Sequence, residues 1–462
     1  MLNLKKDLSN LVGADYNPRK INENDLTALC ESIKDLGLVK PLICRGNLLV
    51  AGHQRSKALL QLGINHAPVY ELPCETTKYD EVRFNQLHNG TDLDCGEEQC
   101  SITGGFKELG YQTTVSKNIE GNLRCKLAGV RGEICKLILK YGSWGGAVAT
   151  MSGEVIHCAQ YALACKITGY PLTVYVIKDS EKERYQKKLN KEYGVFSYDH
   201  LKKDTFIQTF AQMFRLRGDT NSSAASSLYE GHAIPYIQKD KKLRCVDFGS
   251  GQGDYAKMLR SKGFNVIDIE FFRRSRTKQA IDVRAVKKMI TALLSDIDKN
   301  GLFDVVICDS VMNSVDSVQA ECDVMTMINT LCKKGGSVFF SGRARERIND
   351  NDNLTKSADK VRYVEFIDEH GFSALYRKGR WFYQKFHTKE QVVELCDTYG
   401  LKFILQKNKH GSSWQCEAIK QKQLSLAQIE TAIKNEFNMK INDVDSLNKG
   451  DVAWKSFRAH LN

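Results

Sequence analysis

Apolar residues recur at helical spacing between residues 23 and 36, at Leu26, Leu29, Ile33 and Leu36, and Gly37 closes the run. Two short apolar runs follow at 41–44 and 48–51, and the turn residues Gly46-Asn47 between them predict a strand pair. Residues 55–62 read as a helix stopped by Gly63, and 67–72 as a closing strand. The order then recurs. Residues 153–160 lead into a helix at 161–167 and a strand at 171–177. Leu62 corresponds to Ile167, Val69 to Val174, and Arg55 to Gln160. We read this as a degenerate second copy; chance similarity of two strand–helix–strand units is the alternative. Residues 180–193 are charged and helical in pattern, a solvated linker. Residues 220–227 form a small polar loop, and from 243 to 419 strand and helix patterns alternate, as in a parallel sheet flanked by helices. The tail from 424 to 462 is helical and rich in polar residues. The fold class is α/β, with expected boundaries at 1–90, 91–180, 181–209, 210–420 and 421–462.

Composition narrows the picture. Hydrophobic residues make up 42% and charged residues 26%, the balance of a globular chain and not a disordered one. No stretch approaches the roughly 18 apolar residues that span a bilayer, and the first residues lack the apolar core of a signal peptide, so the cytoplasm is the expected compartment. Fifteen cysteines are scattered with no CxxC pair, and Cys95 and Cys100 fit no common metal knuckle. Buried, reduced thiols and no metal site are expected. The net charge of +12 favours an anionic partner such as nucleic acid, or serves solubility.

The chemistry concentrates at Val246-Asp247-Phe248-Gly249-Ser250-Gly251-Gln252-Gly253, a buried strand, an acid and a glycine turn opening a helix. A second strand ends at Glu270, 19 positions beyond Gly251, where a carboxylate is placed to accept ribose hydroxyls. Asp268 faces the other side by strand alternation. The DxGxGxG form resembles class I S-adenosylmethionine-dependent methyltransferases. Ile281-Asp282 resembles the family's acid near the adenine amino group, residues 303–310 its fourth strand and active-site loop, and 333–340 its fifth strand. The resemblance covers about 210–420. It implies that Asp247, Gly249, Gly251, Gly253, Glu270, Asp282 and Asp309 hold S-adenosylmethionine in a Rossmann-like sheet. Asp309 and Asn313 are the candidates for orienting an acceptor; capping the next helix is their alternative role. The proline-proline-aromatic motif of amino methyltransferases and the Pro-Cys nucleophile of cytosine enzymes are absent, so the acceptor stays open. Downstream, Arg377, Lys378, Arg380, Trp381 and Lys385 interleave bases with aromatics, either a nucleic-acid contact or a strand with one buried aromatic face.

The N-terminal half carries Asn17-Pro18-Arg19, then Gly37-Leu38, Pro41-Leu42 and Gly52-His53-Gln54-Arg55. In that order these resemble the ParB and sulfiredoxin superfamily over about residues 1–90. The resemblance implies that Gly52, His53 and Arg55, with Arg19 from the opposite wall, contact phosphates of a nucleoside triphosphate with Mg. Two departures stand out. Only Leu87-His88-Asn89 offers a counterpart to the family's later Glu-Asn pair, and no helix-turn-helix follows. The leading reading is a phage or mobile-element type enzyme that methylates a nucleic acid or nucleotide. A small-molecule methyltransferase with a regulatory nucleotide module, and a non-catalytic DNA-binding protein, are the alternatives.

Overall fold

The computed structural model describes residues 2–90, 99–123, 128–191, 193–201, 214–216, 225–275, 280–345, 367–377, 379–407, 413–441 and 446–461. They form two compact units, one of the described residues up to 201 together with 367–369, and one of the remaining described residues from 214 on. Among the described residues no helix is long and apolar enough to cross a membrane.

The first unit opens with β1 (Leu2–Asp7) and α1 (Glu23–Leu36), whose stripe of Leu26, Leu29, Cys30, Ile33 and Leu36 is buried. Asn22 caps α1 by accepting from the Asp25 amide, and Gly37 ends it at φ +74°. The strand pair is β2 (Leu42–Arg45) and β3 (Leu48–Ala51), followed by α2 (His53–Gln61), β4 (His66–Glu71) and α3 (Lys78–Gly90). The second pass runs β5 (Gly110–Thr114), α4 (Ala128–Tyr141), β6 (Gly146–Thr150), β7 (Val155–His157), α5 (Ala159–Thr168) and β8 (Leu172–Ile177).

The two sheets share one topology. The first has order β1-β4-β2-β3, with Val12–Gly13 as a short further edge, and the second has order β5-β8-β6-β7. In each, the hairpin is antiparallel, the strand after the helix runs parallel to the hairpin's first strand, and the outer edge is antiparallel. The structure shifts our residue matching by one. The N-caps of α2 and α5 are Gly52 and Cys158, both left-handed, so Gln54 matches Gln160 and Arg55 matches Tyr161. Contacts agree with that register. Arg55 Nη1 donates to the Lys40 carbonyl just before β2, and the Tyr161 hydroxyl accepts from the Trp144 and Gly145 amides just before β6.

A large buried cluster joins both copies. Ile43, Val50, Phe84 and Leu87 pack with Ile134, Trp144, Tyr161 and Val174. The charged helix α6 (Lys182–Leu189) is pinned to α1, where Arg184 and Lys188 both pair with Asp35.

In the second unit the sheet is built from β9 (Arg244–Phe248), β10 (Asn265–Ile269), β11 (Phe303–Cys308) and β12 (Cys332–Ala344), in parallel order β10-β9-β11-β12. The helices α7 (Asp254–Ser261), α8 (Val283–Asn300) and α9 (Val318–Leu331) connect them. An antiparallel hairpin, β13 (Phe372–Arg377) and β14 (Arg380–His387), joins the far end of β12 through β14. After α10 (Lys389–Thr398), β15 (Leu401–Lys407) and β16 (Ser413–Lys420) complete the sheet, β16 running antiparallel to β12. The polar-rich tail packs as α11 (Leu426–Phe437) and α12 (Gly450–Arg458), with Ile429, Ile433, Phe437 and Phe457 fully buried. Before α8 there is an isolated antiparallel bridge between Arg274 and Ile281.

Candidate active site

The carboxyl ends of β9, β10 and β11 open on a cavity of about 500 Å³. Gly249 (φ +81°) has no room for a side chain, since a Cβ there would meet Val311 Cγ2 at 2.2 Å. Gly251 (φ +58°) differs: a Cβ there would meet nothing within 4 Å, so its bare backbone leaves the cavity wall open. Gly253 (φ +74°) starts α7, and a Cβ there would meet Arg273 at 2.8 Å; it shapes the turn and does not line the cavity.

Glu270, at the end of β10, is buried beneath this loop and accepts from the Gly251 amide at 2.8 Å and the Phe272 amide at 2.7 Å. Burial still outweighs those bonds and raises its pKa above the ordinary glutamate value. Asp247 is buried at the end of β9. Burial, then the charges of Asp268, Asp309 and Glu270, push its carboxyl up to about 8 against the opposing effect of Tyr229. The Tyr229 ring stacks on Tyr255 with centroids 4.0 Å apart. Its buried hydroxyl lies near Asp247 but has no hydrogen-bond partner in good geometry among the described residues.

The opposite wall follows β11. Ser310 adopts φ +61°, a strained conformation for a residue with a side chain. It is held there by its amide donating to Ser341 Oγ at 2.7 Å and by Arg215 Nη2 donating to its hydroxyl at 3.1 Å. Ser341 Oγ donates to Asp309 Oδ1 at 2.7 Å, and Arg215 lies 3.7 Å from Asp309 Oδ2. Asn313 also lines the cavity, its amide 3.4 Å from Ser314 Oγ. The lining carries the carboxyls of Asp247, Asp254, Glu270, Asp309, Asp316 and Glu436 against one guanidinium, Arg215. Such a lining favours a cationic ligand.

The structure thus brings Asp247, Gly249, Gly251, Glu270, Asp309 and Asn313 around one cavity. It moves Asp282 elsewhere. That carboxylate caps α8, accepting from the Ala285 amide at 2.9 Å, and is absent from the cavity lining. The basic-aromatic stretch is also reassigned. Trp381, Tyr383 and Lys385 alternate along β14 and are buried, so they are not a nucleic-acid surface. Lys385 Nζ lies 3.3 Å from Glu321 and 4.5 Å from the centre of the Phe372 ring, and His387 Nε2 is 2.5 Å from the other Glu321 oxygen. Arg377 and Arg380 are backbone register partners at the hairpin end, and Lys378 lies outside the described residues. Tyr229, Arg215, Ser341 and Glu436 were missed by sequence reasoning. Only Glu436 left a signal, an acid on the apolar stripe of Ile429, Ala432, Ile433 and Phe437.

In the first unit, Gly52 sits at φ +90° and opens α2. His53 Nε2 accepts from the Ala14 amide at 3.0 Å, and burial pushes its pKa down to about 4, so the ring is neutral. Arg55 turns inward: besides Lys40, its Nη2 lies 3.0 Å from His88 Nδ1. The Arg19 guanidinium stacks over Phe196 at 4.6 Å. The predicted phosphate residues are therefore near one turn, but Arg55 and His53 are engaged with the protein.

Residues 223–406 match the model of a family described as a methyltransferase domain. The match makes this half a methyltransferase domain, the class of S-adenosylmethionine-dependent enzyme that its glycine loop led us to expect. Among similar solved structures, the PH0226 protein from Pyrococcus horikoshii OT3 is 14% identical, with 44% of this chain and 93% of that chain covered and a TM-score of 0.31. An S-adenosylmethionine-dependent methyltransferase from Clostridium acetobutylicum ATCC 824 is 11% identical, covering 45% of this chain and 94% of that one, with a TM-score of 0.30. The 1,6-didemethyltoxoflavin-N1-methyltransferase of Burkholderia thailandensis is 12% identical, covering 42% and 79%, with a TM-score of 0.28. No curated protein matches the chain.

Proposed function

We propose that the second unit transfers a methyl group from S-adenosylmethionine, bound in the cavity over Gly251, to an acceptor that enters beside Asp309 and Asn313. The observation that carries this reading is the pairing of an open glycine wall at Gly251 with the buried carboxyls of Asp247 and Glu270. The methyl donor fits this donor set: it is a cation with ribose hydroxyls and a backbone-sized approach to make, and the lining is acidic, with the Tyr229 hydroxyl left unpartnered. Gly249, Gly251, Glu270 and Asp247 are the residues that would hold it. Bound there, it supplies an electrophilic methyl group.

The chain's own part is positioning and protons. Ser341 and Arg215 fix the Asp309 carboxylate, and the strained turn at Ser310 sets where the loop 309–316 faces the cavity. Asp309 then orients, or takes a proton from, an acceptor hydroxyl or amine.

The acceptor reading favoured here is a small molecule, because the lining is acidic and Trp381 and Lys385 are buried. A polyanionic acceptor meets charge repulsion at this mouth. Methylation of nucleic acid or a nucleotide is the second reading, favoured by the net charge of +12. For the first unit, the order of its elements supports the ParB-like reading, with Gly52 at the start of α2 and the Arg19 carbonyl accepting from Gln54 of that helix at 2.7 Å. A nucleoside triphosphate with Mg would have to draw Arg55 away from Lys40 and His88.

Calorimetry with S-adenosylhomocysteine tests the donor site: wild type binds and Gly251→Arg does not. Equal binding by the two proteins refutes it. Labelled methyl transfer to DNA, RNA, nucleotides and a small-amine panel then separates the acceptors, and counts in nucleic acid alone would overturn the small-molecule reading.

A further inference from the structure

Glu436 is the one lining carboxyl supplied by the C-terminal tail, 30 residues past the end of the methyltransferase match at residue 406. It is 7% exposed. Among the described residues its carboxyl has no hydrogen bond and no cation; the charged groups acting on it are the carboxyls of Asp323 and Glu270. An unpartnered acid in such a place costs stability, and a helix that needed only to pack would carry an apolar residue there. Its neighbours on α11, Ile433 and Phe437, do so.

The surroundings indicate what the carboxyl is for. The Phe437 ring meets Phe271 edge-on at 5.3 Å, and Phe271 directly follows Glu270. This packing brings the end of α11 beside the strand end that carries the ribose-facing acid. Phe271, Val315, Val324 and Met439 add apolar lining to the same cavity. A stretch of apolar wall with a carboxyl acceptor suits a planar heterocycle bearing an N–H donor. Glu270 takes the ribose in this reading, with one oxygen on each of two backbone amides. Asp282 is committed to capping α8.

We propose that Glu436 accepts the exocyclic amino group of the donor's nucleobase, so that the C-terminal helix completes the methyl-donor site. The inference rests on the reading of this cavity as the donor site. Glu436 is a positioning and specificity residue; it touches no reacting atom.

The test uses the full chain and two probes, S-adenosylhomocysteine and its hypoxanthine analogue, in which a carbonyl replaces the amino group. Wild type, Glu436→Gln and Glu436→Leu are titrated by calorimetry, with melting curves on the same samples. Wild type is expected to prefer the adenine probe by about tenfold, the worth of one hydrogen bond. Glu436→Leu should lose that preference and melt no lower than wild type. Glu436→Gln, which keeps an acceptor carbonyl, should retain part of the preference. An unchanged preference in both variants overturns the proposal while leaving the donor site intact. Equal losses for the two probes in variants that melt below wild type also overturn it, assigning Glu436 to holding α11. Failure of wild type to bind either probe removes the donor reading itself.

Discussion

Asp247 carries its proton at neutral pH in the free protein, because burial and three neighbouring carboxyls push it up to about 8. A cationic ligand favours the ionised form, so binding releases a proton. Affinity for S-adenosylmethionine should therefore rise from pH 6 and level off above about pH 8, and at pH 7 the calorimetric heat should vary with the buffer's ionisation enthalpy. Affinity that falls over this range would contradict the linkage. Glu436 gives a stability counterpart. Its pKa is raised to about 8, chiefly by burial, against an ordinary value of 4.5. The folded state then holds a proton that the unfolded chain gives up, so the contribution of this group is fully present below the ordinary value and is lost as pH climbs through 8. Glu436→Leu should thus melt above wild type by a margin that widens between pH 5 and pH 8. A constant margin would mean that the carboxyl is not protonated in the fold.

Elements decide which residues of a motif reach the site. The loop after β9 and the loop after β11 were legible, because Gly249, Gly251 and Asp309 sit at strand ends where the parallel sheet opens. Asp282 was legible as an acid before a helix, and that pattern describes an N-cap and a ligand equally well; only the bond to the Ala285 amide separates them. In β14 the period of two in Trp381, Tyr383 and Lys385 is the mark of one buried face, and the bases interleaved with it mimic a nucleic-acid contact. The lone lysine on that face answers Glu321 on α9, which no local pattern reveals. Burial works against the Glu321 charge, yet His387 and Lys385 together hold its pKa below the ordinary value. Removing the lysine takes the ammonium away from the buried Glu321 carboxylate. Lys385→Met should cost about 3 kcal/mol in denaturant unfolding, the usual range for breaking a buried pair. It should leave retention on a nucleic-acid column unchanged. Weaker retention with unchanged stability would restore the nucleic-acid reading of this strand.

At the scale of the molecule, the duplication in the first unit was visible as strand–helix–strand order, but its consequence was not. Sequence placed a boundary near residue 90, where the pattern pauses. The structure ends α3 at that boundary but packs it on the second copy, with Phe84 meeting Tyr141 and Trp144 at 5.5 and 5.1 Å. Charges follow the same seam. Asp80 accepts from Lys140 and Tyr141, each at 2.5 Å, and Arg83 lies 3.2 Å from Glu133. Ile43 and Val50 of the first copy and Ile134 and Val174 of the second belong to one buried cluster, so the first copy closes one face on its own residues, Leu26, Leu42, Leu59 and Val69 among them, and leaves the other face to the second copy. The register Arg55 to Tyr161 shows how the copies parted: both reach back to the segment before their hairpin, one as a donor and the other as an acceptor, and only the first kept a cation. A fragment of residues 1–90 should therefore melt without a cooperative transition and expose apolar surface to dye. A fragment of residues 1–201 should unfold in one transition. Trp144→Ala in the longer fragment should cost about 3–5 kcal/mol, as for a large aromatic removed from a core. Because the cluster is shared, amides of β2 and β6 should lose hydrogen-exchange protection together. A stable, cooperative 1–90 fragment, or protection lost only in the second copy, would show two modules that merely touch.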